Sequence, residues 1–481
     1  MNHRRIVHLL SFVLIAIGAA QSVPILWCLV PFDGPALVGL ATGMAACFVA
    51  GGAARAWGRD EGELYRREGI LVVVGAWFLA SGFGAIPFVA SGAIPGPMDA
   101  LFESASGFTT TGASILPNVE VLPRGILFWR SMTQWLGGIG IVVLFVALLA
   151  ELGPGARMLF RLEVPGPKVE IFHARVRETA LALFRIYLGL SLLQAVSMGV
   201  LGASLFDALT HTFATVSTGG FSPHADSVGA LSVPLQIVVL VFMAVSAINF
   251  GLYYAALSGH SREAMRDVEL RVYLSTVVAA SLLVSVDLLA SRGESGIART
   301  ILDATFQVVS IMTTTGFSTA DFGAWPGWAH AALVVLMAVG GCAGSTAGGM
   351  KLIRVLIGLR VVSREVRLTF NPNAVVAIGI GDQIIPESSA RAVVALLLVW
   401  VLGWSGGTLL LSVGDVDLMT AATASLATVS NIGPGLAAVG PTESFAFFAP
   451  WQKGLMVVLM WLGRLEFFSV LALLLPRFWK P

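Results

Sequence analysis

Four tracts rich in threonine, serine and glycine recur along the chain, and their residue types suit one chemistry: replacing the hydration shell of a cation with protein oxygen. They read Thr109-Thr110-Thr111-Gly112, Val216-Ser217-Thr218-Gly219, Thr313-Thr314-Thr315-Gly316 and Ser430-Asn431-Ile432-Gly433. Gly112, Gly219, Gly316 and Gly433 can take backbone angles closed to other residues, so consecutive carbonyl oxygens can be turned to one side. The threonines, serines and asparagine beside them tolerate extended, solvated backbone and add oxygen ligands. One such tract is an ordinary surface turn. Four in register read as a filter.

Each tract is preceded by a stretch of one design, opened by Asp99, Asp207, Asp303 or Asp417. About 10 to 12 helix-compatible residues run from the aspartate to the tract, which at 1.5 Å per residue spans about half a bilayer. The aspartate falls where an N-cap is wanted, and the far end of the helix carries partial negative charge toward the midplane. Four such ends converging favour a cation. Irregular backbone at that depth is tolerated only where it lines a water-filled or ion-filled path.

The elements that must hold these tracts are membrane crossings. Of 481 residues 56% are hydrophobic and 12% charged, and the mean hydropathy is +0.85, too apolar for a water-soluble globule. Apolar runs cover Ile6 to Val30, Ala36 to Ala54, Ile70 to Ala90, Gly125 to Leu149, Thr179 to Leu201, Ser232 to Leu257, Val272 to Leu289, Trp328 to Ile357, Ala392 to Val413 and Gly454 to Leu475. By length that is about ten crossings. Every tract lies between two of them, so the repeating unit is crossing, half-helix, filter strand, crossing. The expected fold is an all-α integral membrane protein of four pseudo-symmetric repeats around one pore, with an N-terminal two-helix hairpin. Its divisions are 1–68 for the hairpin, then 69–178, 179–271, 272–390 and 391–481.

Charge placement orients the chain. Arg55, Arg59, Arg66 and Arg67 follow the second run; Arg157, Arg161, Lys168, Arg175 and Arg177 the fourth; Arg262, Arg266 and Arg271 the sixth. Lys351, Arg354, Arg360, Arg364, Arg367 and Arg391 follow the eighth, and Arg477 and Lys480 end the chain. The positive-inside rule puts these loops and both termini in the cytoplasm. The opposite loops carry acids, among them Asp33, Asp99, Glu103, Glu120, Asp207, Asp226, Asp303, Asp321, Asp415 and Asp417, which either capture cations or merely accompany the inside-positive bias.

Other signals are weaker. Cys28, Cys47 and Cys342 sit in or beside apolar runs without paired spacing, as buried small hydrophobes do. His3, Arg4 and Arg5 with Ala19 and Ala20 mimic a signal peptide, but the apolar run continues past them. Arg130 and Arg185 suit snorkelling to a lipid interface. Arg464 lies well inside the last run, where a charge is functional by default and a salt bridge to Glu466 is the structural alternative. Gly340, Gly341, Gly344, Gly348 and Gly349, with Ser345 and Thr346, interrupt the eighth run, where glycine disfavours continuous helix.

The motifs Ser106 to Ala113, Trp129 to Gly140, Thr313 to Phe322, Gly344 to Lys351 and Gly463 to Glu466 together closely resemble the Trk/Ktr/HKT superfamily of potassium transporters, specifically the bacterial Trk-type membrane subunit. The resemblance covers essentially the whole chain. It implies carbonyl ligands for potassium at Thr110, Thr111, Ser217, Thr218, Thr314, Thr315, Asn431 and Ile432, before the four filter glycines. Glycine at all four positions goes, in the family, with potassium over sodium. The resemblance further implies an intramembrane gating loop of Gly344, Ser345, Thr346, Ala347, Gly348 and Gly349, and a positive barrier at Arg464.

It implies no cofactor in this chain, with potassium as substrate, and a homodimer in the bacterial inner membrane, surrounded by lipid. The cytoplasmic partner would be a nucleotide-binding regulatory ring; the chain itself carries no P-loop or Rossmann fingerprint, and no nucleic-acid partner is expected. A sodium-conducting or cation-coupled symporter of the same superfamily is the alternative. A carrier with a midplane site would call for inverted repeats, and an intramembrane enzyme for a metal-spaced His/Asp/Glu cluster or a Ser/His dyad within the crossings.

Overall fold

Away from water an apolar run must satisfy its own backbone, so each run folds as helix. The computed structural model describes residues 1–59, 65–151, 176–292, 296–381 and 383–479. Arg157, Arg161, Lys168, Arg175 and Lys480 lie outside the described residues. The hairpin is α1 (His3–Ala20) and α2 (Gly34–Trp57), the latter capped by Asp33, which accepts from Ala36 N at 2.8 Å. The first repeat is α3 (Arg66–Ala90), α4 (Pro97–Phe108) and α5 (Arg124–Glu151), and the second is α6 (Val176–Val200), α7 (Leu205–Val216) and α8 (Val233–Ser246) with α9 (Phe250–Ala255). The third is α10 (Val268–Arg292), α11 (Ile297–Met312), α12 (Gly327–Val339) and α13 (Leu352–Phe370). The fourth is α14 (Glu387–Leu411), α15 (Leu418–Ser430), α16 (Pro450–Arg464) and α17 (Phe468–Leu474). A small antiparallel hairpin, β1 (Ile378–Ile380) with β2 (Gln383–Ile385), joins α13 to α14.

Among the described residues six helices are single spans by length and composition, and two further spans are bent pairs, by 89° between α8 and α9 and by 118° between α16 and α17. The eighth run is neither. Its helix stops at Val339 and resumes at Leu352, so the glycines that weaken helix propensity there do break it. The chain is a multi-pass membrane protein.

The short helices α4, α7, α11 and α15 are the half-helices, and they are sheathed by the spans. Each second crossing packs on its own half-helix and on that of the next repeat: α5 on α4 and α7, α8 on α7 and α11, α12 on α11 and α15, α16 on α15 and α4. The last of these closes a ring. Small residues make the approach possible, as membrane helix packing requires. A Cβ on Gly137 of α5 would overlap Phe108 O at the end of α4, and one on Gly463 of α16 would overlap Val429 O at the end of α15.

The half-helix starts differ from the sequence expectation. Only Asp417 is an N-cap, accepting from Thr420 N at 3.0 Å. Asp99 and Asp207 sit one turn inside, behind Gly96 and Ser204, and Asp303 lies farther in because α11 begins at Ile297. An acid in the first turn still suits the helix dipole.

Candidate cation site

All four half-helices end in one way. The N–H groups of Thr110, Thr218, Thr314 and Asn431 reach back three residues, to Gly107 O, Thr215 O, Ile311 O and Thr428 O, at 2.9, 2.9, 3.1 and 3.4 Å. The N–H groups of Thr111, Gly219, Thr315 and Ile432 reach back five, to Ser106 O, Ala214 O, Ser310 O and Ala427 O, at 2.8, 2.8, 2.9 and 2.8 Å. That is the Schellman motif, whose turning residue must be left-handed. The φ angles of Thr110, Thr218, Thr314 and Asn431 are 53°, 55°, 59° and 55°. Asparagine enters this region readily, whereas a β-branched threonine is strained there, by about 1–3 kcal/mol. Three strained residues at equivalent positions mark a site that the surrounding fold holds in place.

The shared motif sets the register. Two residues after each turning residue come Gly112, Gly220, Gly316 and Gly433, and the first three have φ of 81°, 78° and 83°. The second repeat is therefore one residue out of step with its reading from sequence: Thr218, Gly219 and Gly220 correspond to Thr110, Thr111 and Gly112, and Ser217 corresponds to Thr109. Gly433 alone is not left-handed. Pro434 follows it, and a residue before proline is pushed to extended backbone.

The strands meet in a ring. A Cβ on Gly112 would overlap Gly219 O, and one on Gly220 would overlap Thr315 O. One on Gly316 would lie 3.0 Å from Gly433 N, and one on Gly433 2.8 Å from Gly112 O. Thus Thr110, Thr111, Gly112, Thr218, Gly219, Thr314, Thr315, Gly316, Asn431, Ile432 and Gly433, far apart in sequence, are brought together, with Gly220 added to them.

Most side-chain oxygens there serve the protein rather than standing free. Thr109 and Thr111 share a hydrogen bond at 2.7 Å, and Thr313 and Thr315 one at 2.8 Å. Ser217 Oγ donates to Phe213 O at 2.7 Å and Thr218 Oγ1 to Ser217 O at 2.6 Å. Asn431 Nδ2 donates to Thr111 Oγ1 and Met460 O, each at 3.0 Å, tying the fourth strand to the first. Thr110 Oγ1, by contrast, is buried without a protein partner. Backbone carbonyls are what the tracts chiefly leave for a cation, and among the described residues no cluster of three or more His, Cys, Asp or Glu is placed to hold a metal ion.

Behind the first two strands stands a buried ion pair that sequence reading missed. Arg130 Nε donates to Glu103 Oε1 at 2.5 Å, with both side chains buried. Glu103 also accepts from Ser114 Oγ and Ile115 N, while Arg130 Nη1 donates to Ser222 O at 3.0 Å and its guanidinium lies 3.6 Å from the Phe221 ring. Arg130 therefore does not snorkel to lipid, whereas Arg185 is exposed. Beside the pair, Gln134 grips the second strand, donating to Gly219 O at 2.6 Å and accepting from Phe221 N at 3.0 Å. Arg130→Met strands a buried carboxylate and should lower stability by about 3–5 kcal/mol, with the double variant Glu103→Gln/Arg130→Met recovering part of the loss. Thermal unfolding of the three variants in detergent measures this, and equal loss in single and double variants would remove the pair from the framework.

The glycine-rich segment lies directly against this ring. Thr346 Oγ1 donates to Val216 O at 3.1 Å and to Ser246 O at 3.2 Å; Gly348 N donates to Thr314 Oγ1 at 2.6 Å; Gly349 N donates to Ser430 O at 2.9 Å. It thus meets the ends of α7, α11 and α15, and Gly348 approaches Ser430 O so closely that a side chain there would overlap it. Gly344, Ser345 and Ala347 complete the turn, in which Ser345 Oγ donates to Cys342 O at 2.6 Å. Arg464 Nη1 also holds the segment, donating to Thr346 O at 2.8 Å. Its Nε and Nη2 are buried without a partner. Glu466 is not the partner of Arg464: it accepts from Arg354 Nη2 at 2.7 Å, because the helix breaks at Leu465 and turns its side chain away.

The sequence profile of the TrkH family, described as a cation transport protein, matches residues 39–479. The chain is 37% identical over 486 residues to the Trk system potassium uptake protein TrkH of Escherichia coli K12, covering all of both, and 40% identical over 423 residues to that of Halomonas elongata, covering 87% of each. The crystal structure of the potassium transporter TrkH from Vibrio parahaemolyticus superposes with a TM-score of 0.91 at 34% identity over the full length of both chains. The chain belongs to the TrkH family.

In this TrkH-family chain the acids of the loops opposite the basic ones are largely spent on structure. Asp99 pairs with Lys453 at 2.6 Å, Asp303 with Arg299 at 2.9 Å, and Asp207 with His224 at 3.0 Å. The Asp207 carboxylate raises the His224 imidazole above its ordinary pKa through that hydrogen bond. Asp33 and Asp417 cap helices and Glu103 is buried in an ion pair, so these groups serve the protein rather than offering free carboxylates to a cation.

Proposed function

We propose that this chain is the membrane subunit of a Trk-type potassium uptake system of the bacterial inner membrane, passing potassium through a filter of backbone carbonyls. The observation that carries the reading is the closed ring of four Schellman-ended half-helices. Each points its C-terminal, partially negative end inward, which favours a cation without a fixed carboxylate to trap it. The filter comprises Thr110–Gly112, Thr218–Gly220, Thr314–Gly316 and Asn431–Gly433, with the glycines favouring potassium over sodium. The segment Gly344 to Gly349 is the gate, and Arg464 a positive barrier beneath the filter. The whole divides into the hairpin and four repeats set out above. A homodimer, and a cytoplasmic nucleotide-binding ring reached through exposed basic groups such as Arg262, Arg266 and Arg271, complete the system, with both termini on that side.

Uptake of potassium, rubidium and sodium into proteoliposomes of the purified protein tests the reading. Potassium and rubidium should pass and sodium should lag well behind; equal sodium flux would establish the sodium-conducting alternative. Arg464 contributes a second expectation. At about 8 Å and an effective dielectric near 20, its charge opposes a permeating ion by roughly 2 kcal/mol. Arg464→Ala should therefore raise flux severalfold or more, and the loss of its bond to Thr346 O acts in the same direction. A fall in flux in folded protein would make the arginine structural.

A further inference from the structure

Glu269 belongs to the first turn of α10, yet it fastens the glycine-rich segment at its neck. Its side chain is buried, and the single oxygen Oε1 accepts from two backbone N–H groups on either side of the segment, Ala343 N at 2.8 Å and Ile353 N at 3.1 Å. The neck itself is tight. Gly340 and Gly349 touch backbone to backbone, Met350 N donates to Ala338 O and Leu352 N to Gly341 O, both at 3.1 Å. The tip, at Thr346 to Gly349, makes the bonds to the half-helix ends. One carboxyl oxygen that accepts from both donors requires the two strands of the neck to stay side by side, and a buried N–H that loses its acceptor is costly.

We propose that Glu269 is the latch of this segment: a positioning residue that holds its neck closed and so keeps its tip seated under the filter strands. The inference rests on the segment being the gate. Glu269 is also placed to be moved, since the chain enters α10 directly from the exposed stretch that carries Arg262 and Arg266 on the basic side. A displacement of that stretch shifts the first turn of α10 and draws Oε1 away from both donors together, releasing the neck in one step.

The test is potassium flux in proteoliposomes together with the rate at which a membrane-permeant maleimide labels Cys342, a buried thiol within the neck, read by peptide mass on the full chain. Glu269→Ala removes the acceptor and Glu269→Asp, one methylene shorter, cannot span both donors; each should raise flux and Cys342 labelling by about tenfold or more with the potassium-over-sodium ratio unchanged. Glu269→Gln keeps an oxygen at the same place and should stay within about twofold of the parent on both readouts. In a chain lacking Gly344 to Gly349, Glu269→Ala should add nothing to flux. Folded Ala or Asp variants with parental flux and labelling overturn the latch, as does a Gln variant that opens as fully as Ala. Should Ala fail to fold, Asp and Gln decide. If the loop deletion leaves flux low the gate reading fails, while Cys342 labelling in Glu269→Asp still tests the fastening of the neck.

Discussion

Removing Gly344 to Gly349 should leave a constitutively open pathway that keeps its preference for potassium. The deletion takes away Thr346 and its bonds to Val216 O and Ser246 O, the bond from Gly348 N to Thr314 Oγ1, that from Gly349 N to Ser430 O, and the anchor for Arg464. It also removes Ala347 O, which accepts from Lys351 Nζ. None of these bonds orders the filter strands against one another. Those contacts run from glycine to neighbouring strand around the ring and survive intact. The chain can also close over the gap, because the stretches that flank it already meet: Leu352 N donates to Gly341 O, and Ala343 N and Ile353 N share Glu269 Oε1. A gate held shut by a few kcal/mol gives a rise of roughly ten- to a hundredfold when lost. Rubidium uptake with sodium competition reads flux and selectivity together. Low flux in a variant shown to be folded and dimeric would return the segment to a packing role and leave the filter untouched.

The second large effect is on selectivity. Gly112 has φ of 81° and faces Gly219 O so closely that any side chain would overlap a backbone carbonyl of the next strand. Gly112→Ser therefore adds conformational strain of about 1–3 kcal/mol and a steric push on the ring itself. The potassium-over-sodium ratio should fall by about tenfold or more, since a displaced carbonyl no longer matches the larger ion. Gly220→Ser should do the same, because Gly220 has φ of 78° and would meet Thr315 O. Gly219→Ser should be milder: Gly219 is not left-handed, and what a side chain would meet there is the side chain of Gln134. Relative permeability in liposomes ranks the three. If Gly219→Ser proves the worse of the two changes in the second strand, the register drawn from the helix ends is wrong.

Much of the architecture was legible in the chain because it repeats. Four half-helices could be read from aspartate, apolar stretch, hydroxyl tract and glycine, and the eighth run announced its break through clustered glycines. The misreadings have physical causes. Consecutive Gly219 and Gly220 make the second tract ambiguous in letters, and only the shared Schellman ending separates them. Aspartates at 99 and 207 look like caps, but Gly96 and Ser204 take that place one turn earlier. The pairing of Glu103 with Arg130 joins two helices, and no periodicity within either reveals it. Arg464 and Glu466 looked like neighbours, although residues two apart do not share a helix face; Glu466 instead meets Arg354 from another repeat.

The ring is made by one polypeptide, and this changes how it can vary. In an assembly of four identical subunits every substitution is written four times, so a residue harmful at any one place is lost everywhere. Here each quarter is edited alone. The fourth quarter turns on Asn431, the cheap residue for a left-handed corner, and is followed by Pro434, while the other three keep threonine. The second places Gly219 where the first and third have Thr111 and Thr315, and gives its carbonyl to Gln134. The third reserves one hydroxyl, that of Thr314, for the segment below. A single-chain ring can thus divide its labours, with one quarter braced, one tied to the glycine-rich segment and one shaped by proline, and its properties can be adjusted in steps of a quarter.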